Sequence, residues 1–117
     1  MKIEGEAKLL RIFVGETDRH HSINVYEKIV IEARKAGLAG ATVFKGIMGF
    51  GGTSRIHTSK ILRLSEDLPL IIEIVDEFTK IEKFLPVVDK IMEEANSGGL
   101  ITIEKAEIIK YKSVKKE

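Results

Sequence analysis

The run KLLRIFV at positions 8–14 places Leu10, Ile12 and Val14 on one face of a period-two alternation, with Leu9 and Phe13 making the opposite face apolar as well. A strand apolar on both faces belongs inside a sheet. Residues 17–24 are polar and turn-like, with Ser22 or Asn24 available as an N-cap and Glu27 three residues after Asn24. A helix follows. Tyr26, Ile29, Val30, Ala33 and Ala36 recur at helical steps, Glu27, Lys28, Glu32, Arg34 and Lys35 fill the other side, and Gly37 is a natural stop.

Residues 41–47 read as a second strand between glycines. Beyond it, residues 49–67 mix glycines, basic groups, serines and threonines without a sustained period, and a connection this long is usually functional or disordered. Residues 60–64 are the one place in it for a short extra strand or turn of helix. LPLIIEIV at 68–75 is a buried third strand, with Pro69 near its start where no ladder bond is broken. Ile81, Phe84, Leu85, Val88, Ile91, Met92 and Ala95 form a second helical stripe. Thr79 and Glu82 suit a capping box, but Pro86 then kinks the first turns, or else the main helix starts around Leu85 after an irregular turn. Gly98 and Gly99 end it. ITIEKAEIIKY supplies the last strand, its alternation slipping near Lys105 and Ala106 as at a bulge.

The order β-α-β-β-α-β predicts an α+β, ferredoxin-like sandwich: one antiparallel sheet, both helices on a single face, and a long loop between strands two and three. Residues 1–117 make a single domain. Two helices cover one sheet face only, so Leu9, Phe13 and the outer side of LPLIIEIV call for oligomerisation.

Composition narrows the chemistry. There is no cysteine, hence no disulfide framework and no thiolate metal site, and 19 basic against 18 acidic residues give no global field for nucleic acid. No window suits a membrane span and no signal-peptide pattern opens the chain, so a cytoplasmic location is expected. The absence of cysteine and glutamine, with abundant charge and isoleucine, fits a hot source.

GIMGFGGTSRIH at 46–57 fails as a P-loop, because Gly52 takes the lysine's place, and as a dinucleotide fingerprint, because Ser54 takes the third glycine's. Gly49 and Gly51 can still bring backbone N–H groups to an anion, or the stretch is simply a hairpin loop. Lys110 and Lys112 share a face of the last strand and can reach one phosphate, or they protect a sheet edge. Glu73, alone among apolar residues, meets the solvent edge or a cross-strand lysine in preference to acting as a raised-pKa acid. No metal is expected at His20, His21 and His57, and Asp18, His20 and Ser22 lack the context of a catalytic triad.

In this order the chain resembles the PII signalling proteins. AGLAGATVFKGIMGFGG is similar to their helix end, second strand and start of the regulatory T-loop, LPLIIEIV to their third strand and IEKAEIIKYK to their last. The resemblance is closer to an uncharacterised PII-like family marked here by Gly15-Glu16, Asp18-Arg19-His20-His21, Tyr26-Glu27, the run GLAGATV at 37–43, Gly49-Phe50-Gly51, Ile56-His57, Leu68-Pro69, EIVD at 73–76 and Gly99-Leu100. It covers nearly the whole chain. It implies a homotrimer binding an adenine nucleotide, ADP or ATP, in clefts between subunits, at Thr42, Gly49, Phe50, Gly51, Lys110 and Lys112, with Arg19, His20, His21, Arg55 and His57 as secondary ligand or loop contacts. The implied role is non-enzymatic signalling: nucleotide alters the central loop, which regulates a protein partner, membrane-associated partners included. Where PII proteins carry a longer phosphate loop after the second helix, this chain has only Asn96-Ser97-Gly98-Gly99-Leu100, and it lacks the tyrosine-bearing segment of some T-loops. The alternatives are an interaction module without ligand and, further behind, a small hydrolase or metal enzyme using Glu73 or the histidines.

Overall fold

The protein is described by a computed structural model covering residues 5–50 and 68–114. Its elements are β1 (Gly5–Gly15), β2 (Arg19–His20), β3 (Ile23–Asn24), α1 (Val25–Lys35), β4 (Thr42–Lys45), β5 (Pro69–Asp76), α2 (Phe78–Glu94) and β6 (Leu100–Ile108). The main sheet has the order β4-β5-β1-β6 with every neighbouring pair antiparallel, which is the expected ferredoxin-like arrangement. The pair β2–β3 is an addition: the polar stretch before α1 forms a two-residue-per-strand hairpin, Arg19 opposite Asn24 and His20 opposite Ile23.

Alternation along the two central strands decides the layers. Leu10, Ile12 and Val14 of β1 and Leu70, Ile72 and Ile74 of β5 are buried with Val25, Ile29 and Ala33 of α1 and Ile81, Phe84, Val88, Ile91 and Met92 of α2 in one cluster. Fully burying a large apolar side chain contributes roughly 1.5–3 kcal/mol. The α2 stripe therefore outweighs the ~3 kcal/mol that a proline costs inside a helix. The helix accordingly runs without interruption from Phe78 to Glu94 with Pro86 inside it, in place of a start at Thr79 or Leu85. Pro86 and Glu82, whose carbonyl loses its partner, both face solvent, so water can satisfy the freed oxygen.

Asn24 caps α1 and Gly37 stops it, both as expected, whereas α2 starts earlier than expected and ends at Glu94, before Gly98 and Gly99. Glu77 is the N-cap of α2, so the Thr79–Glu82 box does not form, and Asn24 caps α1 without a side-chain bond. Asn24 instead accepts a hydrogen bond from Arg19 on Oδ1 at 2.9 Å, across the hairpin. Both helices end in a Schellman motif: Gly37 N–H donates to Arg34 and Leu38 N–H to Ala33, while Asn96 N–H donates to Glu93 and Ser97 N–H to Met92. Gly37 has φ of 79° and Asn96 of 51°, the left-handed conformation this motif requires.

β6 pairs with β1 in a single register from Gly5↔Ile108 to Phe13↔Leu100, without the bulge expected near Lys105. It is an edge strand, and the slipping alternation reflects exposure on both sides, as at Glu104, Lys105 and Glu107. β4, the other edge, is shorter than the strand expected over 41–47, and all of its residues are exposed. The expected element at 60–64 lies outside the described residues.

The odd-numbered residues of β1 face away from the helices. Register lines up Phe44, Ile71, Phe13 and Leu100 in one row across the four strands, and Thr42, Glu73, Arg11 and Thr102 in the next. Phe44 and Leu100 are 48% and 54% exposed, so this face stays partly apolar and open.

Two positions should be intolerant of change. Asp76 is fully buried and its two oxygens accept backbone N–H bonds from Ala39 at 2.9 Å and Glu77 at 2.7 Å. D76A leaves both donors without a partner and should cost about 3 kcal/mol in denaturant unfolding. A Cβ on Gly99 would stand 2.4 Å from the Phe13 carbonyl oxygen and 2.5 Å from Met92 Cε. G99A should therefore lower stability by about 1–3 kcal/mol, measured in the same way.

Candidate functional site

The residues singled out from the sequence fall in four places in the structure. Thr42 opens β4, exposed and opposite Glu73 at the middle of the open face. Lys110 and Lys112 follow the end of β6 and lie in irregular backbone, so they do not share a strand face as expected. The register of β6 with β1 runs as far as Ile108, opposite Gly5. The tail turns back toward the other edge, and Tyr111, between the two lysines, donates its hydroxyl to the carbonyl of Ala39 at 3.2 Å. Ala39 is not far in sequence from Thr42, so the tail approaches the α1–β4 connection within one chain.

Gly49 and Phe50 lie past the opposite end of β4. Gly46 N–H donates to the Pro69 carbonyl at 2.8 Å, and a Cβ on Gly46 or Gly49 would meet Pro69 Cγ at 2.8 or 3.1 Å. These glycines thus answer first to close packing against Pro69. Phe50 is exposed, and Gly51, Arg55 and His57 lie outside the described residues.

Glu73 is held by an arginine, where a lysine was one expectation. Arg11 Nε donates to Glu73 Oε2 at 2.8 Å and its Nη1 to Glu104 Oε1 at 2.9 Å, which raises the guanidinium pKa further. The pair occupies the centre of the open face, and Glu73 has no second carboxylate in a general acid–base arrangement with it among these contacts.

Arg19, His20 and His21 sit on the β2–β3 hairpin beside the C-terminus of α2. Asp18 fixes its base: Oδ2 accepts from Gly15 N–H at 2.9 Å and from the Ser97 hydroxyl at 2.7 Å, and the Asp18 carbonyl accepts from Val25 N–H at 2.8 Å. His20 is buried and its Nε2 lies 2.8 Å from Glu94 Oε1. That hydrogen bond, opposed by desolvation and assisted by the charge of Lys90, holds the Glu94 carboxyl below its ordinary value. Asp18 and His20 therefore have separate partners, Ser97 and Glu94, and no Ser-His-Asp relay forms. His21 occupies the first of two turn positions with φ of 57°. A two-residue hairpin gives that place to glycine, and another residue there costs about 1–2 kcal/mol. No local pattern in the sequence links Glu94 to His20, from which 74 residues separate it.

A groove of about 520 Å³ runs beside the end of α2, lined by Asp89, Met92, Glu93, Ser97, Gly99 and Leu100 among others. It carries two carboxylates and no cation, and it does not include Thr42, Gly49 or the two lysines. No helix among the described residues is long and apolar enough to cross a membrane.

Known proteins resemble this chain in architecture and in sequence. The chain is 15% identical to CPII from Thiomonas intermedia K12, solved bound to ADP and bicarbonate, with a TM-score of 0.63 over 88% of each chain. A structure of the same nitrogen regulatory PII-like protein bound to ADP, AMP and bicarbonate gives a TM-score of 0.64 at 14% identity, again over 88% of each chain. At such identities the likeness is one of fold. In sequence, the chain is 39% identical over 102 residues to a UPF0166 protein of Aquifex aeolicus (strain VF5), spanning 87% of this chain and 92% of the relative. It is 37% identical over 105 residues to a UPF0166 protein of Methanocaldococcus jannaschii, spanning 90% and 94%. Residues 7–108 match the family described as Uncharacterized ACR, COG1993, and the chain belongs to that family, DUF190.

Proposed function

We propose that this protein is a non-enzymatic, PII-like regulatory protein, a homotrimer that binds an adenine nucleotide, ADP or ATP, in the clefts between its subunits. The observation that carries the reading is the fold shared with CPII, whose solved forms hold ADP. The placement of the basic tail supports it. Tyr111 ties the segment containing Lys110 and Lys112 to the connection that leads into Thr42, and from there the two lysines would reach a phosphate in the proposed cleft. Gly49 and Phe50, at the far end of β4, would reach the nucleotide of a cleft completed by another copy. Gly51, Arg55 and His57 are carried as contacts of the same cleft on the sequence resemblance alone.

The open sheet face supports the assembly. Its apolar row Phe44, Ile71, Phe13 and Leu100 and the adjoining Arg11–Glu73 pair present a surface that another copy of the same chain can cover. The central segment between β4 and β5 is the part that a regulated protein would read.

Calorimetric titration of the full chain should give saturable heat with ATP, ADP or AMP, and the double variant K110A/K112A should bind at least about tenfold more weakly, from the loss of charge-assisted bonds. No saturable heat from any of the three nucleotides at millimolar concentration would sink the nucleotide reading, leaving a ligand-free interaction module. Sedimentation velocity should give the mass of three chains, and F44E/L100E should shift it toward one. A native chain that sediments as a monomer contradicts the assembly.

A further inference from the structure

Beside the nucleotide reading, and independently of it, the hairpin corner gathers metal-ligating groups. One donor atom from each of His20, His21 and Glu94 lies within 4.8 Å of the others. His20 Nε2 and Glu94 Oε1 are already 2.8 Å apart, and the two imidazole rings meet edge to face with centroids 4.5 Å apart. Ligands at a tetrahedral zinc centre, with metal–ligand distances near 2.0–2.1 Å, stand about 3.4 Å from one another, so rotamer-scale movements of His21 and Glu94 suffice to close the set. We propose that His20, His21 and Glu94 bind one divalent transition ion of the zinc type, with water completing the coordination.

The donor chemistry suits that class: two neutral imidazoles with one carboxylate favour zinc over calcium or magnesium, which prefer oxygen ligands. Burial is graded in the right sense. The His20 side chain is 9% exposed and anchored, whereas the Glu94 side chain is 44% exposed and leaves a path for ion and water. The backbone supplies the second line of argument. If this corner were only a tether of hairpin to helix, the His20–Glu94 bond would suffice, and glycine at position 21 would relieve the turn. The chain instead holds His21 at φ of 57°, with a donor nitrogen of its imidazole within 4.8 Å of those of His20 and Glu94. The edge-to-face ring contact offsets part of that strain, while a bound ion would use it.

The test uses the tag-free full chain, treated with chelator and kept free of nucleotide, titrated with Zn²⁺ against a chromogenic competitor. One ion per chain is expected. H21G and E94Q should each bind at least about tenfold more weakly, since even changes behind the ligands cost about 10–100-fold in metal affinity. H21G should also raise the metal-free thermal midpoint, because glycine is relaxed at this φ, and abolish the further rise that Zn²⁺ gives the native chain. That gain shows that the lost binding does not come from unfolding. The proposal is overturned if the native chain shows no saturable Zn²⁺ binding, or if H21G and E94Q bind as the native chain does. Neither result bears on nucleotide binding, which is measured without metal.

Discussion

The burial of one face of β1 and β5 beneath two helices is the constraint on which the rest of the molecule depends. Leu10, Ile12 and Val14 alternate with Leu9, Arg11 and Phe13, so a slip of one residue would exchange the two sets. In either central strand such a slip would drive a charged residue, Arg11 of β1 or Glu73 of β5, into an apolar layer and expose the aliphatic residues that hold α1 and α2. Desolvating that charge beneath the helices would cost several kcal/mol, far more than an exposed pair returns. The register is fixed by this asymmetry, and with it the rows of the open face.

Fixing the sheet also distributes the connections. Asp76 ties the α1–β4 loop to the start of α2 at one end, through bonds to Ala39 and Glu77. Asp18 ties the hairpin to the end of α2 at the other, through Gly15 and Ser97. The two non-glycine residues with positive φ among the described residues, His21 and Asn96, both belong to this second end. Asn96 is explained by the Schellman motif that ends α2. His21 has no comparable capping role, so its strain directs attention to its ring.

The open face and the basic tail have a different character. They are exposed in the single chain, and the groove beside α2 that is concave carries two carboxylates. The proposed nucleotide site draws on exposed edges, which is why assembly and ligand binding enter the proposed function together. The histidine corner needs no second copy, since all of its donors come from one chain.

The sequence by itself determined the order of the main elements, the apolar stripes of both helices, the stop at Gly37 and the uncovered second face of the sheet. These follow from periods of two and 3.6 residues and from the freedom of glycine, which are local properties. Tertiary structure decided what local patterns do not encode. The core stripe carries α2 straight through Pro86, and pairing with β1 keeps β6 regular where its own alternation slips. The same pairing runs out before Lys110 and Lys112, which removes them from a shared strand face. Arg11 meets Glu73 and His20 meets Glu94 only because the sheet and the end of α2 bring together residues 62 and 74 positions apart. Charge pairing at such separations depends on register and packing, and no spacing along the chain announces it.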